Sequence, residues 1–203
     1  MARPALTEEQ RREIRRRIRE AAAALYATEG LAEISARAIA KEAGVSVGTI
    51  YSHFANLAEL MQSLWRQPVR QLVRDLAETA AGEGTALQRL RRLMQIYVDF
   101  AFTERAVYRG AFLFVRPDAH DKPETVPINQ AGIAAPFIQV IREAQGEGSV
   151  RGGDAVALAQ MVWAGLHGAL ALPQNVDRVA YQAPETMASD MADLLMAWLT
   201  EEG

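Results

Sequence analysis

The stretch from Ile34 to Phe54, ISARAIAKEAGVSVGTIYSHF, limits the fold more than any other part of this 203-residue chain. It reads as two short helices joined by a turn at Gly44. Ser35 caps the first, its hydroxyl accepting from an amide N–H that the helix itself leaves unpaired. Ile39, Ala40 and Ala43 give that helix an apolar face, and the small Ala40 lets another helix come close. Gly44 suits the left-handed backbone conformation that ends a helix and turns the chain. Ser46 opens the next helix, in which Ile50 and Phe54 share one face at i, i+4. Val47, Gly48, Thr49, Tyr51, Ser52 and His53 are left facing outward. The pattern is that of a helix-turn-helix, whose second helix enters the DNA major groove N-terminus first.

The remaining periodic segments all have helical spacing, and none shows the two-residue alternation of a strand. Thr7 with Gln10 forms a capping box and opens a first helix striped by Ile14, Ile18, Ala21, Ala22, Leu25 and Tyr26, with Gly30 at its end. Asn56 with Glu59 offers another box, opening a long helix through Leu60, Leu64, Leu72 and Leu76, which Pro68 is expected to kink or break. Thr85 with Gln88 starts a helix carrying Leu90, Leu93, Met94, Tyr97, Val98 and Phe102. A short helix over 107–115 follows. Residues 116–127 hold three prolines and read as a loop. Helices are then expected over 128–145, from Asp154 through Ala171, and from Pro184 to Thr200, with 173–183 irregular. The expected fold is all-α, about nine helices. A three-helix head at 1–55 carries the helix-turn-helix, and a second helical domain fills 56–203.

Half the residues are hydrophobic, enough for a sizeable core. No apolar run is read as reaching the roughly 20 residues of a membrane span, so no membrane partner is expected. The Arg-rich start lacks the apolar segment of a signal peptide, and the absence of Cys fits a cytoplasmic protein. Charge is divided. Residues 1–66 carry ten basic against eight acidic residues, about +2, and residues 67–203 carry twelve against seventeen, about −5. A basic head on an acidic body suits one end that meets phosphate.

The string Ile39 to Tyr51, I-A-x-x-A-G-V-S-x-G-T-I-Y, followed by His53-Phe54, resembles the N-terminal domain of the TetR family of bacterial transcriptional regulators. The resemblance implies a repressor that binds double-stranded operator DNA, a palindrome read by a homodimer, and releases it on binding a small, largely apolar effector. No cofactor is implied. It places Arg37, Ser46, Val47, Gly48, Thr49, Tyr51 and His53 at the DNA. Thr49 and Tyr51 supply hydroxyl donors and His53 a ring N–H. Val47 offers apolar contact to a thymine methyl, and Gly48 lets the backbone come close. One or two of Arg11, Arg12, Arg15, Arg16, Arg17 and Arg19 are expected to touch phosphate, the rest to be solvated. One position departs from the family pattern: Leu57 stands where a Lys commonly holds phosphate.

Trp163…His167-Gly168 resembles the Trp-His-Gly signature of one class of these C-terminal domains. The candidates to line an effector site are Trp65, Tyr97, Phe100, Tyr108, Phe112, Phe137, Met161 and His167, although aromatic and Met residues at this spacing also serve as plain core. The final helix places Met187, Met191, Leu194, Leu195, Trp198 and Leu199 on one stripe, read as partly a dimer interface. Two other readings compete. An enzyme is disfavoured, because His53, His120 and His167 lack the i, i+4 spacing of a helical metal site and no phosphate loop appears. A fold that has lost operator binding is disfavoured by Thr49, Tyr51 and His53.

Overall fold

The computed structural model describes residues 7–29, 34–113, 128–176 and 178–201. Gly30 and the whole proline-containing loop at 116–127, His120 included, therefore lie outside the described residues. Nine α-helices are present among those described. They are α1 (Glu8–Glu29), α2 (Ala36–Ala43), α3 (Val47–His53), α4 (Leu57–Ala81), α5 (Ala86–Thr103), α6 (Arg105–Tyr108), α7 (Ala134–Gly146), α8 (Ala155–Asn175) and α9 (Pro184–Thr200). A π-helical turn at Arg109–Leu113 continues α6, and a 3-10 turn at Ile128–Gln130 precedes α7. No strand occurs among the described residues.

Caps read from the sequence set several of these boundaries. Thr7 and Gln10 exchange side-chain bonds with each other's backbone N–H, at 2.9 and 3.2 Å. Thr85 and Gln88 do the same at the start of α5. The Asn56 box forms differently. Asn56 Oδ1 accepts from the Glu59 N–H at 2.8 Å, but Glu59 Oε2 reaches back to the N–H of Ala55, at 2.6 Å.

Neither Pro68 nor Pro173 ends its helix. Helix α4 runs unbroken through Pro68. The missing backbone bond costs roughly 3 kcal/mol, but Leu60, Met61 and Trp65 before it and Leu72, Leu76 and Ala80 after it are all buried. Each such large apolar side chain contributes roughly 1.5–3 kcal/mol. Helix α8 likewise passes Ala171 and Pro173 to reach Asn175, its last turn closed by the Val176 N–H on Leu172 O at 3.0 Å. The helix expected over 128–145 splits into the 3-10 turn and α7.

The chain falls into two compact units. One comprises the residues up to Val69 together with Ala106–Phe112; the other comprises Arg70–Arg105 and the described residues from Leu113 on. The first half of α4 thus belongs with the head, whereas the sequence division drew the head's end at residue 55. In the head, Ile18, Ala22, Ile39, Ile50, Phe54, Leu60 and Trp65 form one buried cluster. Ala106 and Val107 pack on it. Gly110 is seated against Trp65, since a Cβ there would come within 2.4 Å of the indole.

In the second unit, α8 packs on α7 and α9, and α7 on α5. Arg89, only 8% exposed, joins Ala80 O and the Glu143 carboxylate at 2.5 Å each. One expectation fails here. Helix α8, with 21 residues and mean hydropathy 1.5, is long and apolar enough to cross a membrane. Gln160, Trp163, His167 and the glycines hide the run by eye, but no charged residue interrupts it. Leu158, Val162, Leu166 and Leu170 spend its apolar face inside the unit.

Candidate nucleic-acid interface

Local chemistry builds the helix-turn-helix as the sequence implies. Ser35 Oγ accepts from the Ala38 N–H at 3.2 Å. Gly44 adopts φ +64°, and the paired bonds Val45 N–H to Ala40 O and Gly44 N–H to Lys41 O end α2 in a Schellman turn. Arg17 on α1 adds a bond from Nη2 to Ala43 O at 2.6 Å, capping the same end. Ser46 caps α3 by accepting from the Thr49 N–H at 3.0 Å. Ile39, Ala40 and Ala43 of α2 and Ile50 of α3 turn inward onto the head core.

The outer side of this pair carries the sequence candidates. Arg37, Ser46, Gly48 and Tyr51 are exposed, Tyr51 by 51%. Thr49 is half-buried, and its Oγ1 lies 2.8 Å from Ser46 Oγ, a bond within its own helix. A hydroxyl has one donor and two acceptor positions, so that bond leaves capacity for a phosphate or base. His53 is half-buried. Its ring pKa is pushed below the ordinary value by burial first, and by the nearby Arg15 and Arg11. It therefore presents a neutral ring with one N–H donor at neutral pH. Val47 corrects the outward assignment: it is half-buried and packs against the head core. Leu57 does the same, which explains an apolar residue at the start of α4.

The arginines of α1 sort by partner. Arg15 and Arg17 bind backbone carbonyls of the helix-turn-helix, and Arg16 is paired with Glu13 and Glu20. Arg11, Arg12 and Arg19 are exposed. The roles of Arg15 and Arg17 escaped the sequence reading, because their carbonyl partners lie 38 and 26 residues away.

Gly48 is informative for what does not surround it. A Cβ there would meet only Ser46 Oγ, at an ordinary 3.7 Å. Among the described residues nothing inside the head demands a glycine here, and glycine in a helix costs roughly 0.5–1 kcal/mol relative to alanine. We therefore expect Gly48→Ala to leave the head as stable or more stable in thermal unfolding. Operator affinity is expected to fall about tenfold, as the added methyl holds the helix off the groove. Unchanged affinity would show that the backbone does not approach DNA at this point.

The other candidates divide between the two units. Tyr97, Phe100 and Phe137 are buried in the second unit, and Tyr97 Oη lies 3.0 Å from Nδ1 of the half-buried His167. Burial pushes the His167 pKa down. Trp163, one turn before His167 on α8, has its Nε1 buried with no hydrogen-bond partner among the described residues. Trp65, Tyr108 and Phe112 belong to the head unit. Trp65 packs edge-on to Tyr26 at 4.8 Å, and Tyr108 lies 5.5 Å from Phe112. Met161 is 58% exposed on α8, which removes it from any buried lining. The α9 stripe also divides. Leu194 is 61% exposed, Met187, Met191 and Trp198 are half-buried, and Leu195 and Leu199 face inward. A Cβ on Gly165 of α8 would stand 3.1 Å from Leu195, so Leu195 is core rather than outer face. Trp198 lies under the Arg151 guanidinium at 5.1 Å. Among the described residues, no group of three His, Asp or Glu side chains is placed to hold a metal ion.

A capped helix pair packed on α1, with a polar outer face on the second helix, defines a DNA-reading head. Comparison with known proteins agrees. The model of bacterial regulatory proteins of the tetR family matches residues 18–64, and that of the tetracyclin repressor-like C-terminal domain matches residues 90–197. The chain belongs to the TetR family and is a DNA-binding transcriptional regulator; proteins of this family are not enzymes.

Solved structures share the fold. A putative transcriptional regulator from Saccharomonospora viridis, in complex with choline, is 23% identical with TM-score 0.68, covering 94% of this chain and 99% of that one. SmeT, the repressor of the Stenotrophomonas maltophilia multidrug efflux pump SmeDEF, is 20% identical with TM-score 0.68 over 93% and 91%. FadR from Bacillus subtilis, in complex with stearoyl-CoA, is 18% identical with TM-score 0.65 over 91% and 98%. No curated protein matches by sequence.

Proposed function

We propose that the chain is a cytoplasmic, ligand-responsive repressor that binds a palindromic operator as a homodimer. The observation that carries the DNA side is α3, whose Ser46, Gly48 and Tyr51 are exposed while Ile50 anchors it to the core. Arg37, Thr49 and His53 complete the proposed contact set, with Val47 contributing the apolar surface that the core leaves uncovered. The dimer reading rests on Leu194 of α9 with Met161 and Leu172 of α8, which are large apolar side chains left exposed. Two-fold symmetry then sets two recognition helices about one DNA turn apart.

The effector reading rests on Tyr97, Phe100, Phe137, His167 and Trp163. A buried indole N–H without a partner costs about 1–3 kcal/mol, and an effector bearing an acceptor oxygen relieves that cost. The relatives solved with choline and with stearoyl-CoA show that this fold takes small molecules of differing chemistry. The Trp-His-Gly class assignment belongs to this proposal and rests on Trp163, His167 and Gly168. Release follows if the effector favours the head spacing that does not fit DNA.

Selection of bound duplexes from a random pool tests the DNA side. A recovered two-fold-symmetric site supports the reading, and a pool without enrichment overturns it. Leu57 gives a finer expectation on the recovered duplex. Leu57→Lys, whose stem still covers the core, is expected to steepen the log–log dependence of affinity on salt by about 0.9 per added phosphate contact. An unchanged slope would show that no phosphate lies within reach of position 57.

A further inference from the structure

We infer that Arg15 and Glu59 are positioning residues for DNA reading, clamping the C-terminal end of the recognition helix rather than contacting DNA. Helix α3 has only seven residues. Isolated helices shorter than roughly 12 residues are marginal in water, so its aim depends on what holds its two ends. Ser46 holds the first. At the other, Arg15 reaches across from α1 and donates from Nη1 to His53 O at 2.6 Å and from Nη2 to Glu59 Oε1 at 3.1 Å. Its guanidinium carbon also lies 4.2 Å from the centroid of the Phe54 ring. The second oxygen of Glu59 accepts from the Ala55 N–H at 2.6 Å.

One ion pair thereby joins three helices. Arg15 belongs to α1, His53 is the last residue of α3, and Glu59 lies in the first turn of α4. The chemistry suits each place. The last carbonyls of a helix lack partners within it, and a cation there meets the negative end of the helix dipole. Arg15 serves two acceptors at once because its donors form a fixed fork, which a lysine lacks. A base-reading constellation must be held to within roughly half an ångström, and the clamp fixes the turn at 54–55 from both sides. With both side chains 36–40% exposed, the pair's value lies in geometry more than in bulk stability.

Charge gives the test its sign. Glu59 is an acidic group in a head that meets phosphate, so by charge alone its removal strengthens DNA binding. A positioning role predicts the reverse. The full-length protein is titrated with the duplex recovered by selection, across a range of salt, and thermal unfolding is followed in parallel. Glu59→Ala is expected to bind about tenfold more weakly with an unchanged salt slope. Glu59→Gln keeps one accepting oxygen, for the Ala55 N–H, but turns its NH2 toward the Arg15 fork, so it is expected to bind more tightly than Glu59→Ala and about threefold more weakly than wild type. Arg15→Lys keeps the charge but loses the fork; it is expected to lose about tenfold, again without change of slope.

The double variant Arg15→Lys with Glu59→Ala is expected to be no weaker than the worse single variant, as for two halves of one device. If Glu59→Ala unfolds at the assay temperature, Arg15→Lys and Glu59→Gln carry the comparison. Equal or tighter binding by a folded Glu59→Ala overturns the inference. So does wild-type affinity in Arg15→Lys, or a slope reduced by about 0.9 in Arg15→Ala, either of which marks a phosphate contact. The inference rests on the DNA-reading role of the head. A wild type that binds no duplex overturns both, whereas a wild type that binds alongside unaffected variants overturns the clamp alone.

Discussion

Gly110→Ala is expected to lower the unfolding temperature of the head by roughly 10–20 °C and to remove operator binding at temperatures where the wild type still binds. The new Cβ would stand 2.4, 2.6 and 2.7 Å from three ring carbons of Trp65. No real methyl group tolerates those distances, so something has to move. The indole cannot swing away freely, since Tyr26 packs on it at 4.8 Å and it is itself only 8% exposed. Gly110 is buried within a π-helical turn, a rare conformation. Overpacking of this kind costs typically 1–3 kcal/mol, and each kcal/mol moves the midpoint of a domain this small by about 4–8 °C. Pairing Gly110→Ala with Trp65→Phe supplies the check. The smaller ring vacates the clash, so the double variant is expected to be more stable than the Gly110→Ala single variant. Additive losses would show that Gly110 matters for some reason other than the indole.

That example also marks where the sequence stops being legible. Caps and turns are local chemistry, and Ser35, Gly44, Ser46, Thr7 and Thr85 act where the sequence places them. Prolines misled because their cost is local while the compensation is not. Pro68 sits between two sets of buried apolar side chains, and no short window weighs that burial against one lost bond. Trp65 drew an effector role from its size and spacing. Its neighbour Gly110 comes from a segment 45 residues later in the chain, and the pairing makes it part of the head core.

The candidate site shows the same division. The sequence identifies which side of α3 is polar, but it treats the α1 arginines as equivalent. Position in three dimensions assigns Arg17 to a carbonyl, Arg16 to carboxylates and Arg15 to one of each. The Glu59 carboxyl is held below its ordinary pKa by the Ala55 N–H first and by Arg15 second. A depressed carboxyl contributes stability above its unfolded value of about 4.3, and that contribution is lost as pH falls through the lower folded value. The Arg15 clamp is therefore in place throughout the neutral range.

Leu194→Asp is expected to convert a dimer into a monomer and to weaken binding to a palindromic duplex at least a hundredfold. Leu194 and Leu195 are neighbours in sequence and lie about 100° apart around the helix. One is 61% exposed and the other 8%. The α9 stripe is thus two stripes, one facing the unit's own core and one left exposed. Met161 at 58% and Leu172 at 45% repeat the outward pattern on α8, the helix against which α9 packs. Placing a carboxylate at position 194, beside the exposed Asp190 and Asp193, forces unpaired negative charge into any symmetric contact made there. The unit's own fold has little at stake, because surface substitutions usually stay within about 0.5 kcal/mol.

Leu195→Ala is the matched control, expected to destabilise by about 2–5 kcal/mol through a cavity while the dimer contact survives in the folded fraction. Joining two half-site contacts through one dimer raises avidity by roughly 10²–10⁴ over either alone, and that factor is what Leu194→Asp removes. Sedimentation and operator titration read the two effects separately. A Leu194→Asp protein that still sediments as a dimer would move the interface off this face of α8 and α9. A monomer that holds the palindrome as tightly as the wild type would mean that the two half-sites are not coupled through the dimer.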